Sequence, residues 1–123
     1  MYDELLKQEK LRIVQELVPG KQITLAHIIA NPDDILYKKL GLDPAVDYKR
    51  SAIGIVTMSP SETAIIAGDI ALKSSGVELG FVDRFSGTLI VTGNVSDVSA
   101  SLTALVEYCE KVLGFTVCAI TKT

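Results

Sequence analysis

The chain has 123 residues, enough for one domain with its own core, because a chain of this size buries roughly 65–70% of its unfolded surface. Twelve basic against fifteen acidic residues leave a formal charge of -3, and no basic stretch or tryptophan offers a phosphate stripe or a base-stacking platform. The charged opening MYDELLKQEKLR lacks signal-peptide character, and no apolar run approaches the ~20 residues that span a bilayer; the expectation is a soluble cytoplasmic protein with no nucleic-acid or membrane partner.

Residues 1–11 are polar and read as an N-terminal extension. RIVQELVPG reads as a short strand stopped by Pro19 and Gly20, with Ile13, Gln15 and Leu17 on one side. QITLAHIIA is a clearer strand, rich in β-branched residues. A short helix should follow. Asn31 is its expected cap, Pro32 its first residue, Asp33 and Asp34 suit the positive end of the dipole, and Gly41 ends it. GLDPAVDYKR is a polar connector.

From residue 52 the order is strand, helix, two strands, helix, strand. AIGIVTM alternates into a helix over SETAIIAGDIALKSSG, with Ser59 to Glu62 as a capping box and Gly76 as the stop. Ala64, Ala67, Gly68 and Ala71 recur on overlapping turns, so this helix can lie close to another backbone. ELGFVDRF and GTLIVTG read as strands. A second helix, SDVSASLTALVEYCEKVLG, carries an apolar stripe of Val98, Leu102, Leu105, Val106, Cys109 and Val112. FTVCAITKT reads as the last strand. This is an α+β pattern.

Hydrophobic residues make up 48% of the chain. Two readings of that surplus stay open: self-association that covers apolar surface, or a dense core of small Ala and Val side chains.

No reactive cluster is legible. His27, the one histidine, sits among Leu25, Ala26 and Ile28 and reads as structural. Cys109 lies on the apolar stripe and reads as core; Cys118 alternates in the last strand and reads likewise. No metal-ligand spacing is present, and Asp69, Asp83 and Asp97 are too scattered to form a catalytic pair. No catalytic residue, metal site or cofactor is expected, and the chain does not read as an enzyme.

The run AGDIALKSSGVELGFVDRFSGTLIVTGNVSDVSASL resembles the core of bacterial microcompartment (BMC) shell proteins. Standard members of that family finish with a strand, an Arg-Pro-His turn and a short helix. The matching piece, LAHIIANPDDILYKKL, stands here at the front of the chain. That order resembles the circularly permuted branch, of the ethanolamine- and propanediol-utilization (EutS/PduU-like) type. VPGKQITLAHIIANP and DRFSG resemble that branch in particular.

The resemblance implies a permuted BMC domain over residues 21–123, a ferredoxin-like antiparallel sheet with helices on one face. It implies a homohexameric tile that packs with other shell proteins around an enclosed pathway of ethanolamine, propanediol or choline type. It places the loop Asp83, Arg84, Phe85, Ser86 and Gly87 around the six-fold axis. On residues alone this loop reads as an ordinary hairpin turn, and it is the resemblance that puts it near the axis. It gives residues 12–20, with Ile13, Gln15 and Leu17, as an axial arm that plugs the pore in a small barrel; the alternative to that family reading is a flexible arm. The axis is then a metabolite pore, or a plugged site that docks an encapsulated protein. It places Lys73 at the tile edge. The Arg-Pro-His turn reads Asn31-Pro32-Asp33 here, so the arginine that reaches a neighbouring tile is missing from the edge.

A second resemblance, to small regulatory domains that bind amino acids or nucleotides between subunits, stays open at this point. No glycine-rich phosphate loop of Walker or dinucleotide spacing supports it.

Overall fold

The computed structural model describes residues 20–42 and 51–123. The expected arm with Ile13, Gln15 and Leu17, and most of the polar connector, lie outside the described residues.

The described elements are β1 (Gln22–Ile29), α1 (Asp34–Lys39), β2 (Ala52–Ser59), α2 (Thr63–Ser74), β3 (Glu78–Asp83), β4 (Thr88–Gly93), α3 (Val95–Lys111) and β5 (Thr121–Lys122). The strands form one sheet in the order β3-β4-β2-β1-β5. Every pairing is antiparallel except β1 with β5, which is parallel.

Alternation along the strands divides the core in two. Ala52, Val56 and Met58 of β2, Leu89 and Val91 of β4, and Ile23, Ala26 and Ile28 of β1 face the long helices. The odd-numbered positions Ile53 and Ile55, with Ile90, face the other way and meet Tyr37, Leu36 and Leu40 of the α1 region. The two long helices therefore cover one face, as expected for the fold, while α1 covers part of the opposite face. Tyr37 fixes α1 there through a 2.5 Å hydrogen bond from its hydroxyl to the Ser51 carbonyl, and burial raises its pKa.

The small-residue stripe on α2 is buried as its spacing predicts: Ala64, Ala67, Gly68 and Ala71 are the buried residues of that helix. The close approach lets the buried hydroxyl of Ser101 on α3 donate to the Ala71 carbonyl at 3.0 Å. Gly54 performs the same service beneath α3. A Cβ there would lie 2.8 Å from side-chain carbons of both Leu102 and Val98.

Boundaries moved where a competing contact claimed the residue. Asn31 does not cap α1; Asp33 does, accepting from the Ile35 N–H at 3.1 Å. Ser59 does not cap α2, because it pairs with Gln22 as the last rung of β2. Helix α2 opens instead on a turn in which Thr63 bonds Pro60 and Ala64 bonds Ser61, and Glu62 makes no side-chain cap. Asn94 caps α3 by accepting from the Asp97 N–H at 2.8 Å. Val112, expected on the apolar stripe, lies past the end of α3 and is 61% exposed.

The expected last strand is reduced to Thr121–Lys122 and an isolated bridge from Gln22 to Thr116. The two contacts share one register, and the interruption coincides with the bulge of β1 between Ile23 and Leu25. His27 helps to hold β5: its two ring nitrogens lie 2.5 Å and 2.9 Å from the Thr121 and Thr123 hydroxyls. Cys109 is buried and Cys118 half-buried against the same core, and burial pushes the Cys109 thiol up.

Gly54→Ala is expected to destabilise the domain by about 1–3 kcal/mol, through overpacking against Val98 and Leu102. Thermal unfolding against wild type measures it. Ser101→Val should cost about 1–3 kcal/mol, because it leaves the buried Ala71 carbonyl without that donor.

Candidate functional site: the β3–β4 loop and the opposite end of the sheet

The register places two sets of residues at opposite ends of the sheet. At one end lie Gln22, Ser59, Asp83 and Thr88; at the other lie Ile29, Ala52, Gly93 and Glu78. The loop joining β3 to β4 leaves from the first end. Lys73, in the last turn of α2, stands a few residues before Glu78 and so belongs to the second end. Asn31, exposed just past Ile29, belongs there too. Strand β3 has 6 residues, so the ends are about 20 Å apart at ~3.3 Å per residue. The sequence-derived loop and edge residues are thus not one site but two, joined by one strand. Gly20, two residues before Gln22, lies at the loop end.

The loop is tied to itself and to the sheet. One Asp83 carboxylate oxygen accepts from the Phe85 N–H and the other from the Ser86 hydroxyl, both at 2.8 Å. The Ser86 hydroxyl also lies 3.0 Å from that of Thr88. The Gly87 N–H donates to the Asp83 carbonyl, and the Gly87 carbonyl accepts from the Met58 N–H, each at 2.9 Å. Gly87 has φ +74, and a Cβ there would lie 2.2 Å from the Met58 oxygen. Only glycine meets both demands.

These bonds leave Arg84 and Phe85 to project. Phe85 is 81% exposed, and the Arg84 guanidinium lies over its ring, 5.0 Å from the centroid. The hydrogen bonds from Phe85 and Ser86 hold the Asp83 carboxyl below its ordinary range. The internal use of Asp83, and the dock at Met58, were not visible in the spacing of residues. An aspartate two residues before an amide that it can cap is the one local signal that could have pointed to the first.

At the other end, the Lys73 ammonium lies 2.8 Å from the Asp69 carboxylate, one helical turn earlier. That hydrogen bond and charge raise the Lys73 pKa, and both side chains are largely exposed. Asp69 is therefore the partner of a candidate edge residue. Among the described residues no group of three or more His, Cys, Asp and Glu side chains could hold a metal ion, and no helix is long and apolar enough to cross a membrane.

Gly87→Ala should destabilise the domain by about 2 kcal/mol or more, from the left-handed backbone and the clash with Met58, as read by melting temperature. The Asp83 bonds favour its ionised form. Their contribution is whole above the ordinary carboxyl value of 3.8 and is lost as pH falls through the lower folded value. Asp83→Asn should remove that acid-dependent part, seen as a flatter pH dependence of melting below the ordinary carboxyl value of 3.8.

The BMC domain family matches residues 52–121. The bacterial microcompartment shell protein PduU of Salmonella typhimurium is 54% identical over 91% of this chain and 93% of its own length. The shell protein EutS of Escherichia coli is 50% identical over 93% of this chain and 98% of its own. Among solved structures, the CutR flat hexamer superposes with a TM-score of 0.78 at 45% identity, covering 85% of this chain and 92% of that one. The match to the BMC domain begins at β2, yet β1 and α1 precede it in sequence while β1 pairs inside the sheet, between β2 and β5. The chain belongs to the BMC-domain family of bacterial microcompartment shell proteins, in circularly permuted order, and is a structural protein and not an enzyme.

Proposed function

We propose that six copies of this chain close into a hexagonal tile of a microcompartment shell, with the Asp83–Gly87 loops around the axis and Lys73 and Asn31 at the rim. The observation that carries this layout is the placement of the loop and of Lys73 at opposite ends of β3. A strand that runs from the hub to the rim puts one set of residues where six copies converge and the other where tiles meet.

Repetition supplies the function. One Arg84 per chain becomes a ring of six positive charges, and such a ring selects permeants by sign. Asp83 lies in the same loop, but its carboxylate oxygens are engaged by Phe85 and Ser86. The guanidinium and the phenyl ring are what the loop presents. Gly20 lies at the loop end of the sheet, which supports the reading of residues 12–20 as an arm beside the axis. Relatives provide the precedent for the ring: the solved CutR structure is a flat hexamer. They are shell proteins, and none favours a ligand-binding regulatory domain.

At the rim, Lys73 must exchange Asp69 for an acceptor on the adjoining tile. An exposed pair of this kind is worth little, so the exchange is cheap. The missing arginine at the Asn31-Pro32-Asp33 turn removes one tie between tiles, which fits a minor or specialised tile.

Light scattering behind size exclusion should give a mass near six times 13.2 kDa without added ligand. A monomer or dimer that associates only on adding a metabolite would replace this reading with the regulatory one. Lys73→Glu should abolish most extended sheets in electron micrographs while the hexamer mass is unchanged. Asp69→Ala, which frees the lysine, should leave sheets intact or extend them. Undiminished sheets in the lysine variant would remove Lys73 from the rim contact.

A further inference from the structure

We infer that the outward furrow between α2 and α3 is a docking site for a cationic amphipathic helix. The furrow lies within a single copy, so the assignment stands apart from the ring reading above.

Two hydrogen bonds fix how the helices lie. The Ser101 hydroxyl donates to the Ala71 carbonyl at 3.0 Å, and the Ser75 hydroxyl donates to the Asp97 carbonyl at 2.7 Å. A step forward from Ala71 to Ser75 thus matches a step back from Ser101 to Asp97, and the helices run antiparallel in one register. Carried toward the loop end, that register sets Ile70 between Ala100 and Ala104, and Ile66 between Ala104 and Tyr108.

The directions agree with the register. A Cβ on Gly68 would lie 3.8 Å from the Leu79 side chain, so that side of α2 faces β3. On a helix turning about 100° per residue, Ile66 and Ile70 leave the buried stripe on the other side, outward and toward α3. Ala100, Ala104 and Tyr108 turn outward and toward α2 in the same way. Ile66 is 49% exposed and Tyr108 44%, while Ala100 is exposed and Ile70 and Ala104 are half-buried. The isoleucines form one wall, the two alanines keep the other low, and Tyr108 closes the loop end. From Ala100 to Tyr108 the furrow runs about 12 Å, a little over two helical turns.

The charges beside the furrow select its occupant. Glu62, Asp69, Glu107 and Glu110 are exposed on these helices and their ends, against Lys73 and Lys111. Asp69 and Lys73 pair with each other, which leaves Glu62, Glu107 and Glu110 against Lys111. Two such surfaces repel, so a second copy is disfavoured, and an anionic membrane is disfavoured for the same reason. A helix that lays apolar side chains on Ile66, Ile70 and Ala104, with lysine or arginine along its borders, meets both the apolar floor and the acidic margin.

Fluorescence anisotropy on the intact protein tests the assignment. The probe is a fluorescein-labelled peptide of leucine and lysine alone, about 14 residues long, with its leucines on one helical face; a second peptide has glutamate in place of lysine. The lysine peptide should bind wild type and weaken as salt rises, and the glutamate peptide should not bind. Ile66→Lys and Ala100→Lys should each weaken the lysine peptide about tenfold or more. Ile35→Lys adds the same charge on α1, across the sheet, where Ile35 is 58% exposed; it should change binding less than about twofold. Far-ultraviolet circular dichroism and light scattering should match wild type in all three. Should Ile66→Lys lose its fold, Ala100→Lys carries the test, because Ala100 is exposed. A lysine peptide that does not bind, equal binding of the two peptides, undiminished binding by the folded furrow variants, or an equal loss in Ile35→Lys overturns the assignment. Wild-type protein that is monomeric yet binds the lysine peptide overturns the ring reading and leaves this one standing.

Discussion

Strand β2 is buried on both faces, and the placement of every other element follows from that. Ala52, Ile53 and Val56 are inaccessible to solvent, and Gly54 leaves room for α3 to settle onto the middle of the sheet. β2 pairs with β1 on one side and β4 on the other, so the order of the sheet is set around it. Burial on both faces also explains why α1 must lie where it does. Without it, Ile53 and Ile90 would face water on the side that the long helices do not reach. Close-packed small residues on α2 do the complementary work by bringing the two long helices into contact above β2.

The consequence for assembly is geometric. A sheet fixed around one strand has a defined loop end and a defined helix-terminus end. The Gly87–Met58 hydrogen bond ties the β3–β4 loop to the end of β2 itself. The loop is held to the core, so on the proposed layout a copy that seats its core in the ring also sets the radius at which Arg84 and Phe85 stand. Preorganisation of this kind costs the loop conformational freedom once, on folding, and not again on assembly.

Most of this architecture was legible in residue spacing, and the misses have physical causes. The small-residue stripe of α2 and four of the six stripe positions on α3 are buried as their helical period requires. The helix starts failed where two roles competed for one residue: Ser59 stays in the sheet ladder, and Asp33 outcompetes Asn31 as a cap because the chain is already extended at Asp33. The shortened last strand coincides with a bulge in β1, which nothing in FTVCAITKT itself marks. For the candidate site, the loop residues stood out through a resemblance to the family. The separation of Arg84 from Lys73 along one strand needed the sheet register. The Asp69 partner of Lys73 is an ordinary i,i+4 spacing that carries no functional mark until the edge residue beside it is known.

The parallel seat of the C-terminal segment has a practical corollary. Thr123 exchanges backbone hydrogen bonds with Ile28 and Ala30, so it is anchored at the Lys73 end of the sheet, while Gly20 stands at the loop end. On the proposed layout, a fluorescent tag or cargo peptide fused after Thr123 would emerge between adjoining tiles and impede paving. On that same layout, the fusion placed ahead of Gly20 would crowd the hub, where six copies of it compete for a narrow circle, and leave the seams clear.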